Sequence, residues 1–204
     1  MGKAIGILGG TFNPIHNAHL AMAESALKQA ELDEIWFMPS KNPPHKSNGE
    51  IVAQEHRSKM IQLAIGSNPY FIFSDYELQR DGITYTAETL KKLKKDYPQY
   101  IFHFIMGGDS FFHLEEWYHP EEIISNCKIL AISRDGATTE QMQHHKEYLN
   151  EKYQGNIQII KMETMDISST KIRQEIQKGN DTSYVPKKVL EYIQNHQLYQ
   201  HPIS

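Results

Sequence analysis

Short apolar runs alternate with longer helical patterns along most of this chain. The runs that predict strands cover 4–8, 35–38, 71–74, 101–106, 129–133 and 157–160. The stretches that predict helices cover 18–30, 53–66, 86–96, 120–125, 139–153, 170–178 and 186–195. This alternation predicts a doubly wound α/β fold with a mostly parallel sheet and helices on both faces. Ligands of such folds bind at the carboxyl ends of the strands.

Length and composition predict one ordinary globular domain. The 204 residues fit a single domain over 1–204, with a C-terminal helical part over about 168–200 packed on it. The formal charge of −4 argues against a general nucleic-acid binder. Cys127 is the only cysteine, so we expect a buried small hydrophobe in a reducing compartment. With no secretory segment and no long apolar run, we expect a cytoplasmic protein without membrane contact, and leave open a homo-oligomer.

The first candidate site follows the strand over 4–8. Residues 9–19 read Gly-Gly-Thr-Phe-Asn-Pro-Ile-His-Asn-Ala-His. Glycines here let backbone amides approach a ligand, and the helix that follows directs its positive end to the same place, so we predict a phosphate site. His16 and His19 can donate hydrogen bonds to phosphate oxygens, although the pair taken alone is more typical of one capping and one packed histidine. Zinc-binding pairs are spaced i, i+4 beside a Glu, which disfavours zinc here.

A second candidate site lies near the other end of the chain. Residues 166–173 read Asp-Ile-Ser-Ser-Thr-Lys-Ile-Arg. Ser168 or Ser169 can cap the helix that follows, and Gly179 with Asn180 can end it. An ordinary capped helix explains the serines but not three hydroxyls and Arg173 within one turn. Backbone amides, hydroxyls and a guanidinium together suit a polyphosphate.

Four weaker signals stay open at this point. Asp109 follows two glycines after a strand and fits a ribose hydroxyl or a plain turn equally well. Trp117 lies in a polar loop, where its ring favours packing over stacking on a ligand. Thr86 opens a helix, where an N-cap is favoured over a site that binds a carboxylate. The Pro-rich loop over 41–49 is either a solvated connection or a lid that carries Lys46.

The motifs together resemble the nucleotidyltransferase superfamily of HxGH type. Within it the chain is most similar to the bacterial nicotinate mononucleotide adenylyltransferases, over almost its whole length. The segments that carry the resemblance are 9–19, 33–39, 43–46, 84–86, 107–109, 117–118, 133–134, 167–173 and 184–199. Pro-Pro-His-Lys at 43–46 and Trp-Tyr at 117–118 distinguish this family from its relatives. Asn13, Ala18 and Gly108 depart from the usual Asp, Gly and Ala.

The resemblance implies a Rossmann-like fold and an activity in NAD biosynthesis. The adenylyl group of ATP passes in line, without a covalent intermediate, to nicotinate mononucleotide, giving nicotinate adenine dinucleotide and pyrophosphate. Mg²⁺ accompanies ATP, and no side chain is assigned as its dedicated ligand. Catalysis is implied for His16, His19 and Arg173. ATP binding is implied for Gly9, Gly10, Thr11, Phe12, Gly107, Asp109, Arg134, Ile167, Ser168 and Ser169. Binding of nicotinate mononucleotide is implied for Lys46, Tyr85, Thr86, Trp117 and Tyr118.

By the same resemblance Trp117 stacks on the pyridine ring, and the backbone amides of Thr86 and Tyr118 bind its carboxylate. The alternatives are transfer to another acceptor of the superfamily, a catalytically silent nucleotide sensor, and a zinc hydrolase. The sensor fits poorly with intact His16, His19 and Arg173. One structural requirement follows: the segments around His16 and Arg173, from opposite ends of the chain, must converge on one triphosphate.

Overall fold

Six strands form one sheet in which every neighbouring pair is parallel. The computed structural model describes residues 2–41, 51–134, 138–180 and 182–200. Its strands are β1 (Ala4–Gly10), β2 (Glu34–Pro39), β3 (Phe71–Phe73), β4 (Ile101–Gly107), β5 (Lys128–Arg134) and β6 (Ile157–Met162). The predicted sheet is confirmed, and it is more regular than expected, since the described strands include no antiparallel pair.

Helices occupy the connections between the strands, as the alternation predicts, and two more follow β6. They are α1 (Asn17–Gln29), α2 (Gln54–Ile65), α3 (Thr86–Asp96), α4 (Gly108–Phe112), α5 (Pro120–Asn126), α6 (Thr138–Tyr153), α7 (Ser169–Gln177) and α8 (Lys187–Asn195). Helix α4 and a 3₁₀ turn over Leu114–Glu116 were not predicted. At five and three residues they are too short to produce an apolar period, and Gly107-Gly108-Asp109 reads as a turn.

Side chains of the central strands alternate between two apolar cores, one on each face of the sheet. In β1, Ile5 and Ile7 belong to the core that α3, α5 and α6 cover, and Leu8 belongs to the opposite core. That second core is covered by α1, α2, α7 and α8, so helices lie on both faces. Cys127 is buried as predicted, and its burial raises the pKa of the thiol to about 12.

The order of the strands places the glycine segments side by side. The sheet runs β3-β2-β1-β4-β5-β6, so the connections leaving β1 and β4 diverge to opposite sides. Open α/β sheets bind ligands in the crevice at this point of reversal. β1 ends in Gly9 and Gly10, β4 ends in Gly107, and Leu8 pairs with Ile105 in register. The two glycine segments therefore meet at one edge of the sheet.

Candidate active site

The turn between β1 and α1, residues 10–16, forms the floor of the crevice. Phe12 has φ 50°, in the left-handed region that is uncommon for a non-glycine residue. Its ring is almost fully buried, with its centroid 5.0 Å from that of His19 and 6.2 Å from that of Phe37. This packing anchors the Phe12 backbone in its strained conformation.

His16 and His19 face each other at the start of α1. Their rings stack with centroids 3.8 Å apart and planes 25° apart. The backbone N–H of His16, the N-cap residue, donates to Nδ1 of His19 at 3.3 Å. Because Nδ1 accepts this hydrogen bond, the neutral His19 ring carries its proton on Nε2. The pair is thus organised as neighbouring imidazoles, with the tautomer of His19 set by the helix cap.

Helix α7 brings the C-terminal motif onto the same turn. The Ser168 hydroxyl caps α7 by accepting from the backbone N–H of Lys171 at 3.2 Å, as one of the two predicted serine caps. The Ser169 hydroxyl donates to the Pro14 carbonyl at 2.9 Å. The Arg173 guanidinium donates to the Asn13 carbonyl at 2.9 Å, across 160 positions of sequence. The two motifs converge, as the sequence analysis required.

Two further side chains hold the turn from behind, and the sequence analysis missed both. Arg57 of α2 donates to the Thr11 carbonyl at 2.9 Å. The hydroxyl of Tyr199 donates to Oδ1 of Asn13 at 2.9 Å. One signal was available, because Arg57 shares the buried face of α2 with Met60, an unusual place for a charged residue.

The residues implied for adenosine lie along the neighbouring strand ends. Gly107 precedes α4, Asp109 is exposed in its first turn, and Ile167 is half-buried before α7. A Cβ on Gly107 would meet no described atom within 4 Å, and one on Gly9 would make ordinary contact with the Phe104 ring at 3.5 Å. Internal packing therefore does not require glycine at either position. Arg134 ends β5, and its side chain lies outside the part of the structure that is described.

The residues implied for the acceptor ring form a second group. Tyr85 precedes α3 and stacks on Tyr118, with ring centroids 4.3 Å apart. This contact joins the two segments whose amides the resemblance assigns to the carboxylate, at Thr86 and Tyr118. Trp117 is half-buried and meets the Phe104 ring edge-on at 6.2 Å, so the packing favoured at first is present. Lys46 lies outside the described residues.

The chain is similar to known proteins over almost its whole length. Residues 7–175 match the cytidylyltransferase-like family. The probable nicotinate-nucleotide adenylyltransferase of Lachnoclostridium phytofermentans is 44% identical over 198 residues, 97% of this chain and 99% of that protein. That of Clostridium acetobutylicum is 41% identical over 198 residues, again 97% and 99%. This chain belongs to the nicotinate-nucleotide adenylyltransferase family.

Solved structures place the same fold in this family. Nicotinic acid mononucleotide adenylyltransferase of Plasmodium falciparum in complex with NaAD superposes with a TM-score of 0.80 at 24% identity, covering 97% of this chain and 98% of that one. Its complex with APC gives a TM-score of 0.78 at 23% identity, with the same coverage. At this identity the likeness establishes the fold, and it confirms the Rossmann-like architecture expected from the sequence.

A buried carboxyl group, that of Glu77, lies in a hydrogen-bond network with the first turns of α3. Glu77 is 9% exposed and accepts from the Thr89 hydroxyl at 2.7 Å. The guanidinium of Arg80 donates to the same hydroxyl at 2.6 Å and to the Glu88 carboxylate at 2.8 Å. Burial raises the pKa of the Glu77 carboxyl above its ordinary value, against the opposing effect of these hydrogen bonds and of the nearby Arg80. The network fastens the segment before Thr84 to the first turns of α3.

The described residues contain no group of three or more His, Cys, Asp or Glu side chains arranged to hold a metal ion. Nucleotidyltransferases of this family use a divalent metal ion with ATP. A site without a carboxylate cage fits an ion that is carried mainly by substrate phosphates and water.

Among the described residues, no helix combines the length and the apolar character needed to cross a bilayer.

Proposed function

We propose that this protein transfers the adenylyl group of ATP to nicotinate mononucleotide. The product is nicotinate adenine dinucleotide, and the leaving group is pyrophosphate. One observation carries the proposal: the hydrogen bond from Arg173 to the Asn13 carbonyl, which unites the histidine turn and the C-terminal motif at the reversal point of the sheet. The full-length relatives named as nicotinate-nucleotide adenylyltransferases support it.

In the reaction, an oxygen of the acceptor 5′-phosphate attacks the α-phosphorus of ATP. A new oxygen–phosphorus bond forms, the bond from the α-phosphorus to the bridging oxygen breaks, and the electron pair leaves with pyrophosphate. His16 and His19 contact the reacting phosphates, with Nε2–H of His19 as a donor. Arg173 holds the departing β- and γ-phosphates. Catalysis of this kind rests on positioning and on stabilising charge as it moves onto phosphate oxygens.

The rest of ATP lies along the ends of β1, β4 and β5. The backbone of 9–12 approaches the phosphates, and Ser168 and Ser169 lie where α7 meets the same turn. Gly107, Asp109, Arg134 and Ile167 flank the adenosine. The open space around a Cβ on Gly107 supports close approach of a nucleotide there. For Arg134 the assignment rests on the resemblance alone.

The acceptor ring binds at the segments that Tyr85 and Tyr118 connect. Trp117 stacks on the pyridine ring, and the backbone amides of Thr86 and Tyr118 bind the carboxylate. Amide donors favour a carboxylate over a carboxamide, because a carboxamide NH₂ would leave donors unpaired. Lys46 belongs to the same half of the site by resemblance.

Mg²⁺ is the divalent ion that we propose to accompany ATP. The triphosphate oxygens and water would hold it, because the described residues assemble no carboxylate cage. When bound, the ion neutralises negative charge on the phosphates. Positioning of the phosphates remains the work of His16, His19 and Arg173.

The test is direct. The purified protein is incubated with Mg-ATP and, separately, nicotinate mononucleotide, nicotinamide mononucleotide, phosphopantetheine or a small alcohol phosphate. Pyrophosphate release is measured and the product is identified by mass. We expect a dinucleotide, formed fastest from nicotinate mononucleotide. Preference for another acceptor would reassign the substrate, zinc-dependent phosphate release would support a hydrolase, and ATP binding without product would support a sensor.

A further inference from the structure

Arg57 is a buried cation directly behind the turn that we propose to bind phosphates. Its helical face also carries Met60 and Ile61, and its side chain is only 2% exposed. One terminal nitrogen donates to the Thr11 carbonyl at 2.9 Å. Its Nε has no hydrogen-bond partner within the described residues. Within the described residues, the hydrogen bond to the Thr11 carbonyl is thus the one that the guanidinium makes.

Among the described residues, no carboxylate forms an ion pair with Arg57. Burial lowers the pKa of Arg57, and the electrostatic effects of Tyr199 and then of Glu55 oppose this only in part. A buried charge without a counter-ion lowers the free energy of unfolding. Packing alone does not require such a charge, because an apolar side chain of similar size would fill the space without that cost. An anionic ligand on the other side of the turn would compensate the charge.

Peptide geometry gives Arg57 a route to that ligand. The Thr11 carbonyl and the Phe12 N–H belong to one planar trans peptide and point in opposite directions. By holding the carbonyl, Arg57 fixes the N–H of Phe12 toward the far side of the peptide, away from α2. A cationic donor on the carbonyl also polarises the peptide and makes its N–H a stronger donor.

We propose that Arg57 is a positioning residue of the nucleotide site, which orients and polarises the Thr11–Phe12 peptide and supplies positive charge beneath a bound polyphosphate. This inference rests on the proposed function, because it requires that the turn binds the phosphates of ATP. Arg57 differs from Arg173 in its route. Arg173 lies at the half-exposed surface of α7, whereas Arg57 acts only through the turn.

The test separates the charge from the hydrogen bond. Arg57→Gln keeps an N–H donor without charge, and Arg57→Lys keeps charge without the planar guanidinium. Tyr192→Phe is the matched control, since it disturbs the same helix by removing the hydroxyl that lies 2.9 Å from Nδ1 of His56, one residue from Arg57. Dissociation constants for AMP, ADP and ATP are measured by calorimetry for each protein at fixed Mg²⁺, with circular dichroism as the folding check.

We expect the loss in Arg57→Gln to grow with the number of phosphates, from less than about 3-fold for AMP to about 10-fold or more for ATP. Arg57→Lys should bind ATP within about 3-fold of the wild type, and Tyr192→Phe should bind all three nucleotides normally. Equal losses for the three nucleotides in Arg57→Gln would reduce Arg57 to a structural residue. An ATP loss in Arg57→Lys as large as in Arg57→Gln would exclude the charge.

Two further outcomes complete the test. If Arg57→Gln does not fold, Arg57→Met, which also removes the charge, replaces it. Failure of both to fold while Arg57→Lys folds would overturn the proposal, because the charge would then serve folding. If the wild type binds no ATP, the proposed function fails and this inference fails with it. If the wild type binds ATP and the loss of affinity in the variants does not grow from AMP to ATP, this inference fails while the proposed function stands.

Discussion

Removing the hydroxyl of Tyr199 tests whether the C-terminal segment stabilises the turn over residues 10–16, which we propose to bind phosphates and call the phosphate turn. That hydroxyl donates to Oδ1 of Asn13 at 2.9 Å, and both residues are at most 3% exposed. A buried hydrogen bond contributes about 0.5–1.5 kcal/mol net. Oδ1 of Asn13 keeps a longer hydrogen bond from the Val52 N–H at 3.3 Å, so it is not left without a donor. We therefore expect Tyr199→Phe to lower the free energy of unfolding by about 1 kcal/mol.

For a chain of this length, 1 kcal/mol corresponds to a fall in Tm of about 2–4 °C. Scanning calorimetry measures this change, and steady-state kinetics measures the accompanying change in the KM for ATP, which should rise about 2- to 5-fold. The KM for nicotinate mononucleotide should not change, because the hydroxyl that is removed donates to Asn13 in the turn over 10–16. The control is Tyr192→Phe, whose hydroxyl bonds the half-exposed His56.

An unchanged Tm in Tyr199→Phe would refute the reasoning about stability, since the lost hydrogen bond would then contribute nothing. A lower Tm with an unchanged KM for ATP would refute the functional part. In that case the contact would stabilise the fold without acting on the site.

Three other substitutions probe the rest of the site. His16→Ala should lower kcat about 100- to 1,000-fold with the fold retained by circular dichroism, and a near-normal kcat would remove His16 from the mechanism. Trp117→Ala should raise the KM for the acceptor and leave the KM for ATP unchanged. A rise confined to the KM for ATP would show that the Trp117 ring belongs to the ATP half of the site and not to the acceptor half. Burial raises the pKa of Glu77, so its protonated form favours folding below the ordinary value of 4.5 and this stability is lost as pH rises through the raised pKa. As pH rises from 4.5, the free energy of unfolding of the wild type should therefore fall relative to that of Glu77→Gln, as measured by urea titrations. A difference between the two proteins that does not depend on pH would contradict the raised pKa of Glu77.

The fold was predictable because its signals are local. Each strand is a short apolar run and each long helix has an apolar face, so the alternation alone indicates a parallel sheet. The glycine turn and the capped helix that carries Arg173 were recognised for the same reason. Helix α4 escaped because five residues carry no period.

The supports behind the site were not predictable in this way. Arg57 reaches Thr11 across 46 positions, and Tyr199 reaches Asn13 across 186. A sequence gives the identities of such side chains but not their partners, because only the folded chain brings them together. The sequence likewise does not predict the hydrogen-bond network of Glu77, Arg80, Glu88 and Thr89. Their letters are ordinary for a surface loop, and only burial makes Glu77 unusual.

The phosphate turn is held by its carbonyl groups, and this bears on what it can bind. Side chains and backbone groups from other parts of the chain donate to four carbonyls of residues 10–14. The pairs are Ser40 to Gly10, Arg57 to Thr11, Arg173 to Asn13 and Ser169 to Pro14. A turn whose acceptors are satisfied by the protein presents mainly donors to a ligand, which favours an anion over a cation or a neutral ring. Three of those four donors come from segments more than 45 positions away. We therefore propose that the preference of this turn for an anion is a property of the assembled fold, which the glycine motif produces only when α2 and α7 are in place.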